Sequence, residues 1–551
     1  MPGSHFHPID WVVLIAYFIG TTSIGLYFYR KTRSTEGYTA GNRSLPGWVC
    51  GLSIFATFLS SVSYLALPGK SFGGNWTAFA FSLSIPLVLI FAVRYFLPYY
   101  RNSGEVSAYA CLEHRFGLWA RLYASVCYLL TQIARIAVVM YLMALPMQVI
   151  FGWNIYVILI VTGICVTLYS FIGGIVGVIW ADAIQAIVLM TGAVVCLLVL
   201  LSNVPGGPSE VLSVALEQNK FSLGDFRFNF VTETFWVVFF FGIAENLKNF
   251  GIDQSYVQRY IASNSDAEAR HSVLLGGLLY VPVSALFFLI GTCLFVLYHA
   301  DSTTPDGKMS NLNEVKHLVA RQKVMQDGHN PEEQKFDQLV KDEVSELKND
   351  KIGDRVFPHF IARYLPPGVT GLLIAAVFAA AMSTISTSLN SSATLVHSDF
   401  VKRLIAPDIG EKSSMIVLYA ATILWGIFGT GLALVLVRFT DSALSIWWTL
   451  SGIFSGGVSG LFLLGLISRK AKNPAAVTGV VIGALVIVWM SLPKFAALFL
   501  DDPDEHYENL AKALSPLHAF MIPVLATLTI FLVGLLVSQL SGTNKENSSN
   551  E

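Results

Sequence analysis

The sequence has 551 residues, of which 54% are hydrophobic and 13% charged, and its formal net charge at pH 7 is −1. Soluble globular proteins carry about 25% charged residues, so this composition, with a mean hydropathy of +0.61, excludes an ordinary soluble domain. The charged loops form no basic patch, which excludes nucleic acid as a partner.

Apolar runs long enough to cross a bilayer recur along the chain. A transmembrane helix needs about 20 apolar residues, and we count about thirteen such runs. The first, at 8–29, ends at Arg30, Lys31 and Arg33, which predicts that this end is cytoplasmic. The same charge rule, applied to the later loops, places 258–270 among the cytoplasmic loops. It predicts a multi-pass protein of the cell membrane, in contact with the lipid bilayer, with a cytoplasmic tail at 541–551.

Ten of the predicted spans form two sets of five, at 46–230 and 231–467, and two more follow at 474–540. Each set begins with a segment typical of an interrupted helix. These are "SIFATFLSSVSYLALPG", where we expect Pro68 and Gly69 to cause the break, and "FFFGIAENLKNFGIDQS". Sets with an odd number of spans run in opposite directions, and interrupted helices at matching positions indicate a binding site between inverted repeats. We therefore predict an all-α membrane protein built from two inverted five-helix repeats.

The second set contains a polar insertion at about 300–356, which we expect outside the membrane. Its segments "NEVKHLVARQKV" and "FDQLVKDEVSELKND" predict two short amphipathic helices. No spacing of a nucleophile and its base stands out there or at membrane depth. We therefore expect a solvated cap and a protein that is not an enzyme.

A hydroxyl-rich helix occurs late in the second set, in "LIAAVFAAAMSTISTSLNSS". Ser383, Thr384, Ser386 and Thr387 lie at i, i+1, i+3 and i+4, which gathers their oxygens on one helical face. Such a face can replace the water around a hard cation. The alternative is that these small residues only let two membrane helices approach closely.

Four ionisable residues are expected at membrane depth, where each costs about 2.5 to 3.5 kcal/mol and needs a partner or a function. Asp182, a carboxylate without a local partner, together with the hydroxyl face predicts a sodium site; the alternative is a protonated structural aspartate. Arg135 predicts recognition of a substrate carboxylate; the alternative is that it caps carbonyls of a broken helix. Glu245 and Lys248, at i and i+3, are expected to neutralise each other rather than to contact substrate directly.

The chain resembles the sodium/solute symporter family over about residues 10–490. The resemblance is carried by several long motifs in the same order, namely "GYTAGNRSLPGW", "GGIVGVIWADAIQ", "DQSYVQRY", "LPPGVTGLLIAAVFAAAMSTISTSLNS" and "GLFLLGLISRKAKNPAAVTG". Within the family, "FATFLSSVS" and Arg135 make it most similar to the bacterial sodium/sialic acid symporters. The resemblance implies a LeuT-like fold and Na+ as the coupling ion.

The same resemblance implies positions for one or two sodium ions. The first ion would be held by backbone carbonyls and by two hydroxyls of Ala56, Leu59, Ala380, Ser383 and Thr384. The second, which only part of the family has, would be held by Asp182, Ser383, Ser386 and Thr387. The second set includes the carboxylate and three of the hydroxyls that the charge and hydroxyl patterns single out.

The substrate pocket that the resemblance implies is only partly typical of the sialic acid branch. Ser60, Ser63 and Arg135 would hold the substrate, with Arg135 on its carboxylate, and the pocket would further include Phe58, Ser82, Asn246 and Lys248. Phe58 and Ser82 stand where that branch has a hydroxyl and a glutamine, and Lys248 stands where it has a neutral residue. These departures change the substrate pocket and leave the predicted sodium ligands unchanged.

The sequence therefore predicts a sodium-coupled symporter, acting as a monomer, that imports a small organic solute. The favoured substrate is an acidic sugar such as N-acetylneuraminate. A neutral sugar, a polyol or a monocarboxylate remains an alternative substrate, and a membrane sensor or channel without coupled transport is an alternative class of function.

Overall fold

The computed structural model describes residues 6–28, 34–300, 310–326, 335–438, 443–497 and 514–547, and these residues are almost entirely helical. The helices of the first half are α1 (Pro8–Phe28), α2 (Thr35–Ala40), α3 (Gly47–Phe58), α4 (Val62–Gly73), α5 (Thr77–Ser103), α6 (Ala110–Phe116), α7 (Leu118–Phe151), α8 (Ile155–Leu168), α9 (Gly173–Asn203) and α10 (Gly207–Glu217).

The helices of the second half are α11 (Phe235–Ile252), α12 (Gln254–Ala262), α13 (Asp266–Ala300), α14 (Asn311–Gln326), α15 (Phe336–Glu346), α16 (Asn349–Tyr364), α17 (Val369–Ile405), α18 (Glu411–Leu436), α19 (Ala443–Ser455), α20 (Val458–Ile467), α21 (Asn473–Ala497) and α22 (Met521–Asn547).

Eight of the described helices are long and apolar enough to cross a membrane, and there are ten such spans if each bent pair, α3 with α4 and α19 with α20, counts as one. Two shorter apolar helices, α1 and α8, and the helix pair α11–α12, which carries Glu245 and Lys248, lie where the sequence predicts three more spans, but they are not among these ten. The protein is thus the all-α membrane protein that the sequence predicts. The cations predicted at the end of the first span, at 30–33, lie outside the described residues.

The break between α3 and α4 is at Leu59–Ser61, about two turns before the position that the sequence suggested. Leu59 leaves the helical conformation (φ −86°, ψ 81°), and the backbone N–H of Val62 donates to Ser60 Oγ, so the serine begins the second half-helix. Pro68 does not break the chain, because a wide π turn at Val62–Ala66 precedes it and leaves room for its ring.

Gly69 likewise has a packing role and not a breaking one. A Cβ at this position would lie 2.8 Å from the backbone of Gly353, so the glycine lets α4 approach α16. The expected interruption at Pro68 and Gly69 is therefore wrong in its position, although the interrupted span itself exists.

The second interrupted helix changes direction at Asp253 (φ −70°, ψ 122°), between α11 and α12. Asp253 Oδ1 accepts a hydrogen bond from the N–H of Ser255, at 2.8 Å, as an N-cap of α12. Both interrupted helices thus use a short polar side chain at the break, which satisfies backbone groups that the bilayer cannot.

Two features outside the ten central spans complete the fold. Asp10 on α1 is fully buried and caps α17, because its Oδ1 accepts from the N–H of Gly368 at 2.6 Å and of Gly371 at 2.8 Å. The insertion contains the two predicted helices as α14 and α15, while 301–309 and 327–334 lie outside the described residues. Of the predicted tail, α22 extends to Asn547 and 548–551 is not described.

Candidate functional site

The hydroxyl face of α17 lies against the break of the first interrupted helix. All four hydroxyl residues of this face are buried, and Thr387 Oγ1 lies 3.4 Å from Thr57 Oγ1 on α3. Ala56 and Leu59, on either side of this contact, are also buried. The two helices that the predicted first sodium site requires therefore meet inside the protein, with no room for lipid between them.

The first predicted set of ligands includes oxygens that the protein itself leaves unused. Ser60 N donates to the carbonyl of Phe58 and not to that of Ala56, its partner in an unbroken helix. Ser383 Oγ is buried and has no hydrogen-bond partner among the described residues, whereas Thr384 Oγ1 donates to the Ala380 carbonyl at 3.1 Å. Buried polar atoms are nearly always paired, so the free oxygen of Ser383 fits a cation ligand.

Asp182, which the second predicted set places on a sodium ion, has a charged partner that the sequence interpretation missed. Arg259 Nη2 donates to Asp182 Oδ2 at 2.8 Å, and neither side chain has any exposed surface. The same nitrogen donates to Thr387 Oγ1 at 2.7 Å, and Arg259 Nε donates to Ser53 Oγ at 2.7 Å. Asp182 is therefore not the lone carboxylate that we expected.

Arg259 was overlooked because 258–270 was interpreted as a cytoplasmic loop. It lies on α12, where it is fully buried. The flanking Tyr256, Val257, Tyr260 and Ile261 were an available signal, since apolar residues on both sides indicate a buried helix and not a loop.

The second set still contains free oxygens. Asp182 Oδ1 and Ser383 Oγ are both buried without a hydrogen bond from the described residues, and Ser386 Oγ donates to the Ser383 carbonyl at 3.2 Å. A carboxylate oxygen and a hydroxyl suit a hard cation. However, a second sodium ion here would need the guanidinium of Arg259 to release Asp182 and Thr387, because two cations on one buried carboxylate leave a net charge that nothing compensates.

A partly open cavity lies beside the break, and five of the seven predicted substrate residues line it. These are Phe58, Ser60, Ser63, Ser82 and Arg135. The cavity wall includes further residues that the sequence interpretation did not assign to substrate, among them Phe81, Glu245, Asn249, Tyr256, Tyr280 and Trp448.

The position of Arg135 is compatible with both of the roles that the sequence left open. Its Nη2 donates to the Thr57 carbonyl at 2.7 Å, next to the break, which is the capping role. It also lines the cavity, so part of the guanidinium faces the space that a substrate would fill. The hydroxyl of Thr57 in turn lies beside Thr387. Arg135 therefore links the cavity to the hydroxyl face of α17.

Aromatic rings form much of the cavity wall around Phe58. Its ring meets that of Tyr280 edge-on, with centroids 4.2 Å apart, and stacks on Phe250 at 5.5 Å. Two serines of the wall already have partners: Ser63 Oγ lies 3.1 Å from Tyr280 Oη, and Ser82 Oγ accepts from Ser284 at 2.9 Å. The pocket therefore offers more ring surface and fewer free polar groups than a pocket with a hydroxyl side chain at position 58 and a glutamine at position 82 would offer.

Asn246 and Lys248 do not line this cavity. Asn246 Nδ2 donates to Ser84 Oγ at 2.9 Å and fastens α11 to α5. Lys248 forms the expected ion pair with Glu245 and also donates to Ser451 Oγ, at 2.7 Å. It faces a separate, small cavity, which Thr131 and Asp253 also line.

The comparisons with known proteins decide the family. The model of the sodium:solute symporter family matches residues 38–326 and 344–483. The chain belongs to this family. The resemblance is thereby confirmed, together with the predicted coupling to Na+ and the predicted class of function, sodium-coupled solute transport.

Similar members of the family include two bacterial sialic acid symporters. The sodium/sialic acid symporter SiaT of Proteus mirabilis is 30% identical over 486 residues, which is 87% of this chain and 89% of the relative. The sodium/sialic acid symporter NanT of Aliivibrio fischeri is 28% identical over 548 residues, 99% of this chain and 95% of the relative. The sodium-coupled monocarboxylate transporter 2 of Mus musculus is 27% identical and covers 89% of this chain and 73% of the relative.

Solved structures give the same assignment. The substrate-bound, outward-open form of a Na+-coupled sialic acid symporter superposes with a TM-score of 0.79 at 28% identity, covering 97% of this chain and 98% of that one. The nucleobase–cation symporter Mhp1 superposes with a TM-score of 0.52 at 13% identity, over 92% of this chain and 95% of that one, and therefore shares the fold. The predicted LeuT-like fold of this symporter is confirmed.

Proposed function

We propose that the protein imports a small carboxylate-bearing solute, most favourably an acidic sugar such as N-acetylneuraminate, together with Na+. The observation that carries this proposal is the position of Arg135, which lines the cavity and is bonded to Thr57 beside the hydroxyl face of α17. A planar guanidinium suits a carboxylate, which it can bind through two parallel hydrogen bonds. The names of two of the similar relatives support the same substrate class.

The coupling between sodium binding and solute binding follows because both predicted sites lie at the break between α3 and α4. A sodium ion on Ala56, Leu59, Ala380, Ser383 and Thr384 would hold α3 against α17. That contact fixes the chain at Thr57 and hence the place of Arg135. Ion and solute would thus each favour the conformation that binds the other, which is positive coupling between two sites.

The second predicted set, with Asp182, Ser386 and Thr387, would add a second ion after Arg259 moves away. Two sodium ions with a monoanionic solute carry one net positive charge per cycle. The membrane potential then supplies about 2.3 kcal/mol per 100 mV. We propose that the protein works in this way as a monomer in the plasma or inner membrane, as a transporter without a catalytic step.

A second candidate substrate is a simple monocarboxylate. The aromatic wall around Phe58 and the loss of a longer polar side chain at Ser82 favour it, and one similar relative is a monocarboxylate transporter. A sensor or channel with this fold would bind sodium without concentrating a solute.

The test is uptake by the purified protein in liposomes with an inward gradient of Na+, or of K+ as the control. Labelled N-acetylneuraminate should accumulate only with Na+, and unlabelled N-acetylneuraminate should compete better than pyruvate or glucose. Arg135→Lys keeps the charge and can still donate to the Thr57 carbonyl, but it loses the paired hydrogen bonds. It should therefore raise KM about tenfold or more, while sodium binding in the absence of solute stays unchanged. Sodium binding without uptake of any of these solutes would contradict the proposal.

A further inference from the structure

Two opposite charges face the same cavity without pairing with each other. Arg135 and Glu245 both line it, yet no ion pair joins them. Arg135 is tied to Thr57 on α3, and Glu245 is tied to Lys248 and Ser451. The space between the two charged groups is therefore available to a solute that carries a different chemical group at each end.

In the part of the chain that the structure describes, hydrogen bonds reach one of the two oxygens of the Glu245 carboxylate. Both Lys248 Nζ and Ser451 Oγ donate to Oε2, and Ser451 lies 3.1 Å from it. Among the described residues, nothing donates to Oε1, and this atom is not one of the buried atoms left without a partner. It is thus an acceptor that faces the cavity.

Lys248 makes such an acceptor compatible with an anionic solute. Its ammonium group is bonded to Glu245 from the side away from the cavity, where it lines the separate cavity with Asp253. The pair is neutral as a whole, so Glu245 can accept a hydrogen bond without strongly repelling a carboxylate held at Arg135. An unpaired glutamate at the same place would repel it.

We propose that Glu245 is a specificity-determining residue whose Oε1 accepts a hydrogen bond from a hydroxyl or amide N–H of the solute. The substrate class is then a hydroxylated or N-acylated carboxylic acid, in preference to a plain monocarboxylate. This inference rests on the proposed function, because it assumes that Arg135 holds the carboxylate. Ser63 and Ser82 already bond to Tyr280 and Ser284, which leaves Glu245 as the free anionic acceptor of the described wall.

A solute without a donor would leave the carboxylate dehydrated and unpaired, and sites built to hydrogen-bond a substrate hydroxyl reject analogues that lack it. Gluconate and hexanoate test this directly, since both are six-carbon carboxylates and differ only in hydroxyl groups. For each variant we compare the two acids by their inhibition constants against labelled N-acetylneuraminate uptake and by their direct binding to the purified protein. The ratio of the gluconate value to the hexanoate value then measures the preference for hydroxyl groups.

The main variant is Glu245→Met with Lys248→Met, which removes the acceptor and its counter-ion together and keeps similar side-chain lengths. We expect it to weaken gluconate about tenfold or more and to leave hexanoate and the half-saturating sodium concentration unchanged. Lys248→Met alone should weaken both acids alike, through repulsion by the uncompensated Glu245. Ser451→Ala removes the hydroxyl that donates to Oε2 and accepts from Lys248 but leaves Oε1 in place, so it is the matched control and should keep the wild-type ratio.

An unchanged ratio of gluconate to hexanoate binding in the double variant overturns the inference. If that variant does not fold, Glu245→Gln gives the same decision, because its neutral oxygen should lose part of the preference for gluconate and an unchanged ratio overturns the inference equally. If the wild type binds carboxylates without preferring hydroxylated ones, this inference alone fails. If it binds no carboxylate at all, the proposed function fails and the inference with it.

Discussion

Arg259 Nη2 lies 2.8 Å from Asp182 Oδ2, and this ion pair between α12 and α9 has no exposed surface on either side chain. Ser53 reinforces the pair by donating to the same carboxylate oxygen at 2.6 Å while it accepts from Arg259. The buried ion pair thus joins a helix of the first five-helix set to a helix of the second, directly beside the hydroxyl face of α17.

Breaking this pair from one side should be costly. Asp182→Asn or Arg259→Met leaves one buried charge uncompensated, and we expect a loss of about 3–5 kcal/mol in stability for each. The double variant removes both charges and should recover much of that loss, because a buried ion pair and neutral residues of similar size are often nearly equal in stability. Thermal unfolding of the purified variants in detergent measures this; additive losses in the double variant would contradict a coupled pair.

The two predicted sodium sites can be tested independently with residues that belong to only one set of ligands. Thr384 belongs to the first set and Ser386 to the second. Thr384→Val keeps the shape but removes a ligand oxygen, so it should raise the half-saturating sodium concentration for uptake strongly. Ser386→Ala should lower the Hill slope of sodium activation towards one, since it weakens only the second ion.

The measurement for both variants is initial uptake as a function of sodium concentration in liposomes. A Hill slope that Ser386→Ala and Asp182→Ala both leave at the wild-type value would reject the second sodium ion. Ser388→Ala is a useful control, because Ser388 is buried on the same helix and belongs to neither set.

The sequence predicts the helices and the hydroxyl face well because both depend on local patterns. Apolar runs identify the spans, and Ser383 and Ser386 share a helical face through their spacing alone. The partner of Asp182 could not be found in this way, because Arg259 is far along the chain and reaches it only after α12 turns at Asp253.

Long-range packing also explains the other differences. Pro68 is tolerated because a π turn precedes it, and Gly69 is needed for the contact with Gly353, which no local pattern contains. Asn246 and Glu245 are adjacent in sequence, but only the fold decides that Asn246 bonds to Ser84 and Glu245 faces the cavity.

Glu113 on α6 should make stability depend on acidic pH. Hydrogen bonds from Arg403, and a further one from Arg121 at 3.0 Å, lower the pKa of Glu113 below its ordinary value. A carboxylate whose pKa is lowered in the folded state stabilises the fold above its ordinary pKa, and this contribution is lost as the pH falls through the lowered pKa.

Glu113→Gln should therefore cost about 1–2 kcal/mol at pH 7, a value reduced by the half-exposed side chain of Arg403. The difference from wild type should shrink as the pH falls from 5 through the lowered pKa of Glu113, below which both proteins carry a neutral side chain at this position. Melting temperatures across this pH range test the prediction, with the exposed Glu105→Gln as the control. A difference that stays constant with pH would show that the ion pairs contribute nothing.

Asp10 should stabilise the helix that carries the hydroxyl face without changing the ion site. Its carboxylate caps the N-terminus of α17 through Gly368 and Gly371, where a negative charge also interacts favourably with the helix dipole. Asp10→Ala should cost about 1–2 kcal/mol, and Asp10→Asn less, because the amide oxygen can still accept one bond. Gly371 is about 18 Å along the helix axis from Ser383. We therefore expect lower melting temperatures for both variants with an unchanged sodium dependence of uptake, and a shift in sodium affinity as large as the loss in stability would contradict the separation of the two ends of α17.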